Sequence, residues 1–230
     1  MKAMILAAGK GERMRPLTYE TPKPLLSAGG KPLIVHHIEQ LADSGFREIV
    51  INTAHLGAKI HATLRTGSRW GVRISYSHEG LSGLETAGGM NRALPLLGKQ
   101  PFLTINADIW TDYPLEKLKF PITGLAHLVL TRNPEHNPQG DFFISPSGVI
   151  ENSGEAMHTY TGIAVLSPSI FDKLPIGTAK LAPLLRNAAS KEKVSGELYL
   201  GAWDDIGTPE RLEALDKRLR DQGLRTCCTC

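Results

Sequence analysis

The residues best suited to chemistry lie in one stretch near the start of the chain, LAAGKGERMRPLTYETPKP over residues 6–24. Gly9 and Gly11 let the backbone approach a ligand closely and adopt dihedrals closed to other residues, so that successive N–H groups can face an anion. Arg13 and Lys23 follow, with Arg15 between them and Pro16, Pro22 and Pro24 stiffening the segment. Arg brings a planar fork of donors and Lys a point charge, two common means of holding a polyphosphate. A dinucleotide fingerprint would need a third glycine three residues after Gly11, and Met14 stands there. An ATPase-type phosphate loop would need Lys followed by Ser or Thr after the glycines, and that is missing too. On the glycines alone, two readings stand: a phosphate cradle or a tight structural turn.

The elements that must position this loop follow from the periodicity. Lys2 to Ala7 reads as a buried strand that ends at the glycines. Residues 33–44, with Ile34, Ile38 and Leu41 at helical spacing, read as an amphipathic helix. Arg47 to Asn52 and Val72 to Ser77 are strands, Ala58 to Leu64 and Ala87 to Leu97 are helices, and Phe102 to Asn106 is a fully apolar strand ending at Ala107-Asp108. This alternation implies βαβ units, and hence a single doubly wound, mostly parallel mixed sheet with helices on both faces. Leu125 to Arg132 and Tyr160 to Leu166 add core strands. Between them, residues 133–155 are rich in Asn, Pro, Gly and Ser and hold two short strand candidates, so a small β-rich excursion is expected there. Ala179 to Ala189 is a helix, Leu198 to Leu200 a short strand, and Pro209 to Leu219 a closing helix with Pro in its first turn. One domain over residues 1–222 accounts for all of this.

Composition narrows the function classes. Twenty-six Lys and Arg against 23 Asp and Glu give a net charge of +3, with no basic run or stripe of the kind nucleic acid calls for. No stretch reaches 18 apolar residues, so no membrane span is expected, and the short apolar start reads as a strand rather than a signal peptide. All three cysteines, Cys227, Cys228 and Cys230, fall in the last four residues, which excludes a disulfide framework and suits a cytoplasmic setting. Residues 223–230 read as a disordered tail carrying thiols. The sequence assigns no oligomeric state.

The longer pattern LAAG-x-G-x-R-x-x-P-x-T-x-x-x-PKP resembles the opening signature of the sugar-1-phosphate nucleotidylyltransferases. Further stretches extend the resemblance nearly end to end: EIVIN, LETAGG, DIWTDY, HNPQGDF, LAPLLR and W-x-DIGTPERL. Within the family the pattern is most similar to the branch that uses UTP to uridylylate N-acetylmuramate α-1-phosphate in peptidoglycan recycling. The resemblance implies that the backbone at Ala8 and Gly9 and the segment Leu84, Glu85 and Thr86 hold the base. It implies that Gly11 and Arg13 contact the triphosphate and that Lys23 reaches the reacting phosphate. Asp108 and Asp205 are then the carboxylates that bind Mg²⁺, while Gly140, Thr161 and Glu151 lie on the sugar side. The adjacent Asp204 offers the same chemistry as Asp205, and only the family spacing W-x-D selects between them. Two departures stand out: Ala107 precedes Asp108 where Gly is usual, and Glu85 stands where many relatives have Gly.

The chemistry implied needs few special side chains. A sugar phosphate is already a nucleophile, so no histidine base is required, and none of the eight histidines has a partner acid at triad spacing. Both substrates are anionic, and the protein must neutralise charge and align them. The expected partners are small molecules, UTP and a sugar 1-phosphate. Another hexose 1-phosphate with UTP, dTTP or GTP is the near alternative, and a catalytically silent sugar-nucleotide sensor the distant one. A Rossmann oxidoreductase is disfavoured, because the second strand ends at Asn52 rather than at an acid.

Overall fold

The structure, a computed structural model, describes residues 1–80 and 83–227. Three nearly continuous apolar runs form its centre: β1 (Ala3–Leu6), β4 (Glu48–Thr53) and β6 (Phe102–Asn106). Strands of this kind are buried on both faces and belong in the middle of a parallel sheet. β4 and β6 flank β1 in parallel, and β5 (Arg73–His78) extends the sheet beyond β4. Leu6 is in register with both Asn52 and Asn106, so the C-terminal ends of the three central strands stand level. The intervening short strands β2 (Ser27–Ala28) and β3 (Lys31–Pro32) pair only with each other.

Beyond β6 the pairing changes. β11 (Met157–Leu166) runs antiparallel to β6, β8 (Ala126–Thr131) antiparallel to β11, and β12 (Val194–Leu198) parallel to β8. On the side of β11 that faces β6, its first residues pair instead with β9 (Phe142–Ile144), which pairs with β10 (Ile150–Glu151). The expected excursion over 133–155 therefore joins the same sheet, above the end of β6. Between the two pairings β11 carries an irregularity at residues 160–163. Gly162 sits there with φ 83, and a Cβ on it would stand 2.5 Å from Nδ2 of Asn106.

Alternation along the strands divides the core. Ala3, Ile5, Ile49 and Ile51 face α1 (Leu33–Asp43) and α2 (Gly57–Leu64), while Met4, Val50 and Phe102 face α3 (Glu85–Leu97) and α4 (Leu181–Ala189). A third cluster joins Met14, Leu26 and Leu33 to Ile206, Leu212 and Leu215, packing the opening segment against α5 (Pro209–Cys227). No helix among the described residues is long and apolar enough to cross a membrane.

Three expectations needed revision. The strand placed at Leu198 to Leu200 lies earlier, as β12, where Val194 and Gly196 are buried among β8 neighbours. Two three-residue strands, β7 (Ile109–Thr111) and β13 (Trp203–Asp205), form a separate antiparallel pair too short to leave a periodic signal. The closing helix does not stop at Leu219 but continues to Cys227, while residues 228–230 lie outside the described residues.

The irregularity at Gly162 yields a prediction. Gly162→Ala combines left-handed strain with the clash on Asn106, costing about 1–3 kcal/mol. Thermal unfolding should show Tm lowered by about 3–10 °C. An unchanged Tm would contradict the assigned backbone conformation.

Candidate active site

Because the central strands end level, side chains at their C-terminal ends can reach one another. Oδ1 of Asn52 accepts the Ala7 N–H at 2.7 Å, and its Nδ2 donates to Oε1 of Glu79 at 2.6 Å. The other carboxylate oxygen of Glu79 accepts the Leu84 N–H at 2.7 Å. Asn52 and Glu79 are both buried, so these bonds satisfy groups that would otherwise be costly to leave unpaired. The relay ties the start of the glycine loop to the segment that opens α3. Gly89 makes room for it, since a Cβ there would lie 2.1 Å from Oε1 of Glu79.

The glycine loop turns over this relay. Gly11 has φ 64, and its carbonyl accepts the Met14 N–H at 2.9 Å and the Thr18 hydroxyl at 2.8 Å. Arg13, exposed on the short 3₁₀ turn Glu12–Met14, has no ion pair among the described residues. Lys23 opens a second such turn between Pro22 and Pro24 and is buried. Its Nζ meets Oδ2 of Asp108 at 2.8 Å. Ala107 is buried with a backbone outside the left-handed region, so alanine in place of glycine adds no strain there. Glu85 does adopt φ 59, a conformation glycine takes without cost, in keeping with the glycine that the resemblance implies at this position.

Asp205 stands across the β7–β13 pair from Ile109, and the Asp108 carbonyl accepts the Ile206 N–H at 2.8 Å. The two carboxylates thus sit on neighbouring backbone. Oδ2 of Asp205 receives Nη1 of Arg211 at 3.0 Å and lies 3.2 Å from Nε2 of His136. Asp204 points to the other face of its strand and pairs with Arg218. Among the described residues no group of three or more metal-ligating side chains is gathered. Two carboxylates on neighbouring backbone nevertheless fit a hard divalent cation, which takes oxygen ligands and leaves most positions to substrate and water.

These parts enclose a cavity of about 680 Å³. Ala8, Gly9, Gly11, Arg13, Lys23, Glu85, Thr86 and Asp108 all line it, so most of the residues singled out in the sequence converge. Asp205 borders it through Gly207: an ideal Cβ on that lining residue would be 3.2 Å from Asp205 Oδ2 and 3.3 Å from Nη1 of Arg13. Leu84 is not among the lining residues, and its N–H is taken by Glu79. Gly140, Thr161 and Glu151 are not among the lining residues. Gly140 and Glu151 belong to the excursion, and Glu151 is exposed on β10. The Thr161 side chain is occupied within the sheet: its hydroxyl donates to the Val129 carbonyl at 2.7 Å and accepts the Ile163 N–H at 3.2 Å. Sequence reasoning missed Asn52, Glu79 and Arg211. Asn52 lies near the C-terminal end of β4, beside β1, and Glu79 directly follows β5, the next strand out; strand ends are where open α/β sheets place ligands, and that position was the available signal.

Behind the site, His37 on α1 is buried, and burial pushes its pKa down to about 4 against a weaker opposing hydrogen bond to the Ile109 backbone. The imidazole is therefore neutral beneath the strand that follows Asp108.

Comparison with known proteins places this geometry. Residues 2–130 match the nucleotidyl transferase family. The chain is 50% identical over 222 residues to the N-acetylmuramate alpha-1-phosphate uridylyltransferase of Neisseria meningitidis serogroup B, covering 93% of this chain and 96% of that one. It is 33% identical to the enzyme of the same name from Caulobacter vibrioides, over 95% of this chain and 97% of the other. A Bacillus anthracis protein crystallised with sucrose shares the fold, with a TM-score of 0.84 at 22% identity and 96% of each chain covered.

The neutral His37 makes stability depend on pH. As pH falls through 6.5 the unfolded chain takes up a proton that the folded one refuses until about pH 4. Stability present above pH 6.5 is thus lost between about 6.5 and 4, by on the order of 3 kcal/mol from this group. His36 and His127, whose pKa values burial also lowers, add to the fall. His37→Gln should flatten the decline of Tm over that range, and parallel declines for variant and parent would refute the assignment.

Proposed function

The chain belongs to the nucleotidyl transferase family, and from that premise we infer that it transfers UMP from UTP to N-acetylmuramate α-1-phosphate, giving UDP-N-acetylmuramic acid and pyrophosphate. The reading is carried by one observation. A chain half identical to an enzyme of this activity over nearly its whole length gathers the glycine loop, Arg13, Lys23 and Asp108 around one cavity. Such an enzyme serves peptidoglycan recycling and works in the cytoplasm, on small molecules rather than nucleic acid or membrane.

In the proposed mechanism a phosphate oxygen of the sugar phosphate attacks the α-phosphorus of UTP. The new P–O bond forms as the bond to the bridging oxygen of pyrophosphate breaks, and no proton need move. The base rests against Ala8, Gly9 and the segment Leu84 to Thr86. Gly11 offers backbone to the triphosphate, and Arg13, free of any internal ion pair among the described residues, is available to clamp it. Lys23 reaches the phosphate that is transferred. Asp108 and Asp205 would hold Mg²⁺, a hard cation that neutralises phosphate charge when bound. Gly140 and Glu151 face the sugar from the excursion, and Thr161 supports that wall through β11. The nucleotidyl transferase domain then spans residues 1–222.

Pyrophosphate release across a matrix of sugar 1-phosphates and nucleoside triphosphates, with and without Mg²⁺, tests the reading. N-acetylmuramate α-1-phosphate with UTP should be the best pair. A better rate with another hexose 1-phosphate would move the substrate, and no release from any pair would favour a sensor. Arg13→Ala and Lys23→Met should each lower kcat/KM at least about 10²-fold, about 2.7 kcal/mol of transition-state stabilisation. Normal turnover by Arg13→Ala would remove that residue from the mechanism.

A further inference from the structure

The excursion approaches the main cavity through a loop, residues 133–141, that is built as two successive turns. The Asn137 N–H donates to the Pro134 carbonyl at 2.9 Å, and the Gly140 N–H to the Asn137 carbonyl at 3.2 Å. Pro138 and Gly140 occupy the second turn at the positions that favour them, and Gly140 has φ 66. Side chains lock the pair of turns onto β11. Asn133 donates to the carbonyls of Pro138 and Met157 at 3.2 and 3.0 Å. Asn137 donates to Asp141 Oδ2 at 3.2 Å and to the Thr159 hydroxyl at 3.1 Å, and that hydroxyl donates to Asn133 Oδ1 at 2.9 Å. Asp141 Oδ2 also accepts the Tyr160 N–H at 2.8 Å. The loop is thus shaped by bonds within its own side of the molecule.

His136, third residue of the first turn, reaches out of this frame to the opposite wall. Its Nε2 lies 3.2 Å from Oδ2 of Asp205, the oxygen that also receives Arg211. His136 and Arg211 together engage one carboxylate oxygen, and the guanidinium contacts the Asp205 carbonyl as well, at 3.4 Å. The carboxylate is held from two sides by groups on different elements. Gly140 is four residues along the same pair of turns from His136, so a sugar that moves or steadies the loop acts directly on the orientation of Asp205.

We propose that His136 is a positioning residue that couples the sugar-side loop to Asp205, so that occupancy of the sugar side and divalent-cation binding strengthen one another. The inference rests on the transferase reading and adds to it a link between the two halves of the site. Coupling of this kind is a binding free energy and is reciprocal. Product-like ligands measure it without turnover. UDP probes the nucleotide side alone, and UDP-N-acetylmuramic acid engages both sides.

The test is calorimetric titration of both ligands, with and without Mg²⁺, into the full chain and its His136→Ala and His136→Gln variants. In the parent, Mg²⁺ should tighten UDP-N-acetylmuramic acid more than it tightens UDP, by roughly five- to tenfold. His136→Ala should bring the two Mg²⁺ effects to within about twofold, while His136→Gln, whose amide can still donate to Asp205, retains most of the difference. Thermal unfolding of both variants should stay near the parent, because the half-exposed His136 contributes little to the core. A difference that survives in His136→Ala, or that is absent from the parent, overturns the coupling alone. A parent that binds neither ligand overturns the transferase reading, and the coupling with it.

Discussion

The ion pair between Lys23 and Asp108 is the constraint around which the site is arranged. An ammonium as deeply buried as Lys23 is strongly unfavourable without a partner, so the segment that carries it must close onto a carboxylate. That closure carries the opening segment across the ends of β1 and β6 and seats Met14 and Leu26 against Ile206, Leu212 and Leu215. It therefore also sets where α5 begins, and with it Arg211 and the β13 turn. Asp205 meets the same condition through Arg211. Each carboxylate is therefore matched by a protein cation, Asp108 by Lys23 and Asp205 by Arg211.

The sheet gives these ion pairs their place. Leu6 of β1 stands level with Asn52 of β4 and Asn106 of β6, so three parallel neighbours form one floor beneath the cavity. The antiparallel strands beyond β6 rise past that level. β11 pairs with β6 through its second half and with β9 through its first, so one strand belongs to both the floor and the excursion. Gly162 stands where the pairing changes hands. The indole N–H of Trp203 donates to the Thr161 carbonyl at 2.9 Å, which fastens β13 to the same joint.

How much of this was legible depends on how each part announces itself. Strands and helices with a complete apolar period, such as β6 and α1, were visible because burial acts on every second or every third to fourth residue. β7 and β13, at three residues each, are shorter than any period can register, yet they carry the second carboxylate. β12 was displaced by a few residues because VSGEL mixes small and polar groups, and its strand character comes from pairing with β8 rather than from its own pattern. The glycines and cations of the opening segment were legible by residue type. Asn52 and Glu79 were not, since an amide and a carboxylate at strand ends look like surface residues until the register sets them 2.6 Å apart. Thr161, which the resemblance puts on the sugar side, has its hydroxyl bonded within the sheet, which residue type alone could not reveal.

Glu85 shows how the frame absorbs a departure from the family pattern. A left-handed glutamate costs on the order of 1 kcal/mol or more, so something must hold it. The holding is visible on both sides of it. The Leu84 N–H is taken by Glu79, the Ala179 N–H donates to the Leu84 carbonyl at 3.0 Å, and the Ala87 and Gly88 N–H groups both donate to the Ala179 carbonyl. The turn is stapled to the relay beneath it and to residue 179 beside it. The backbone at residue 85 consequently keeps the conformation a glycine would give, and the replacement acts through its side chain alone. Glu85 adds a carboxylate to the cavity lining where glycine adds nothing. The departure from glycine thus lies in one side chain rather than in a rearranged loop.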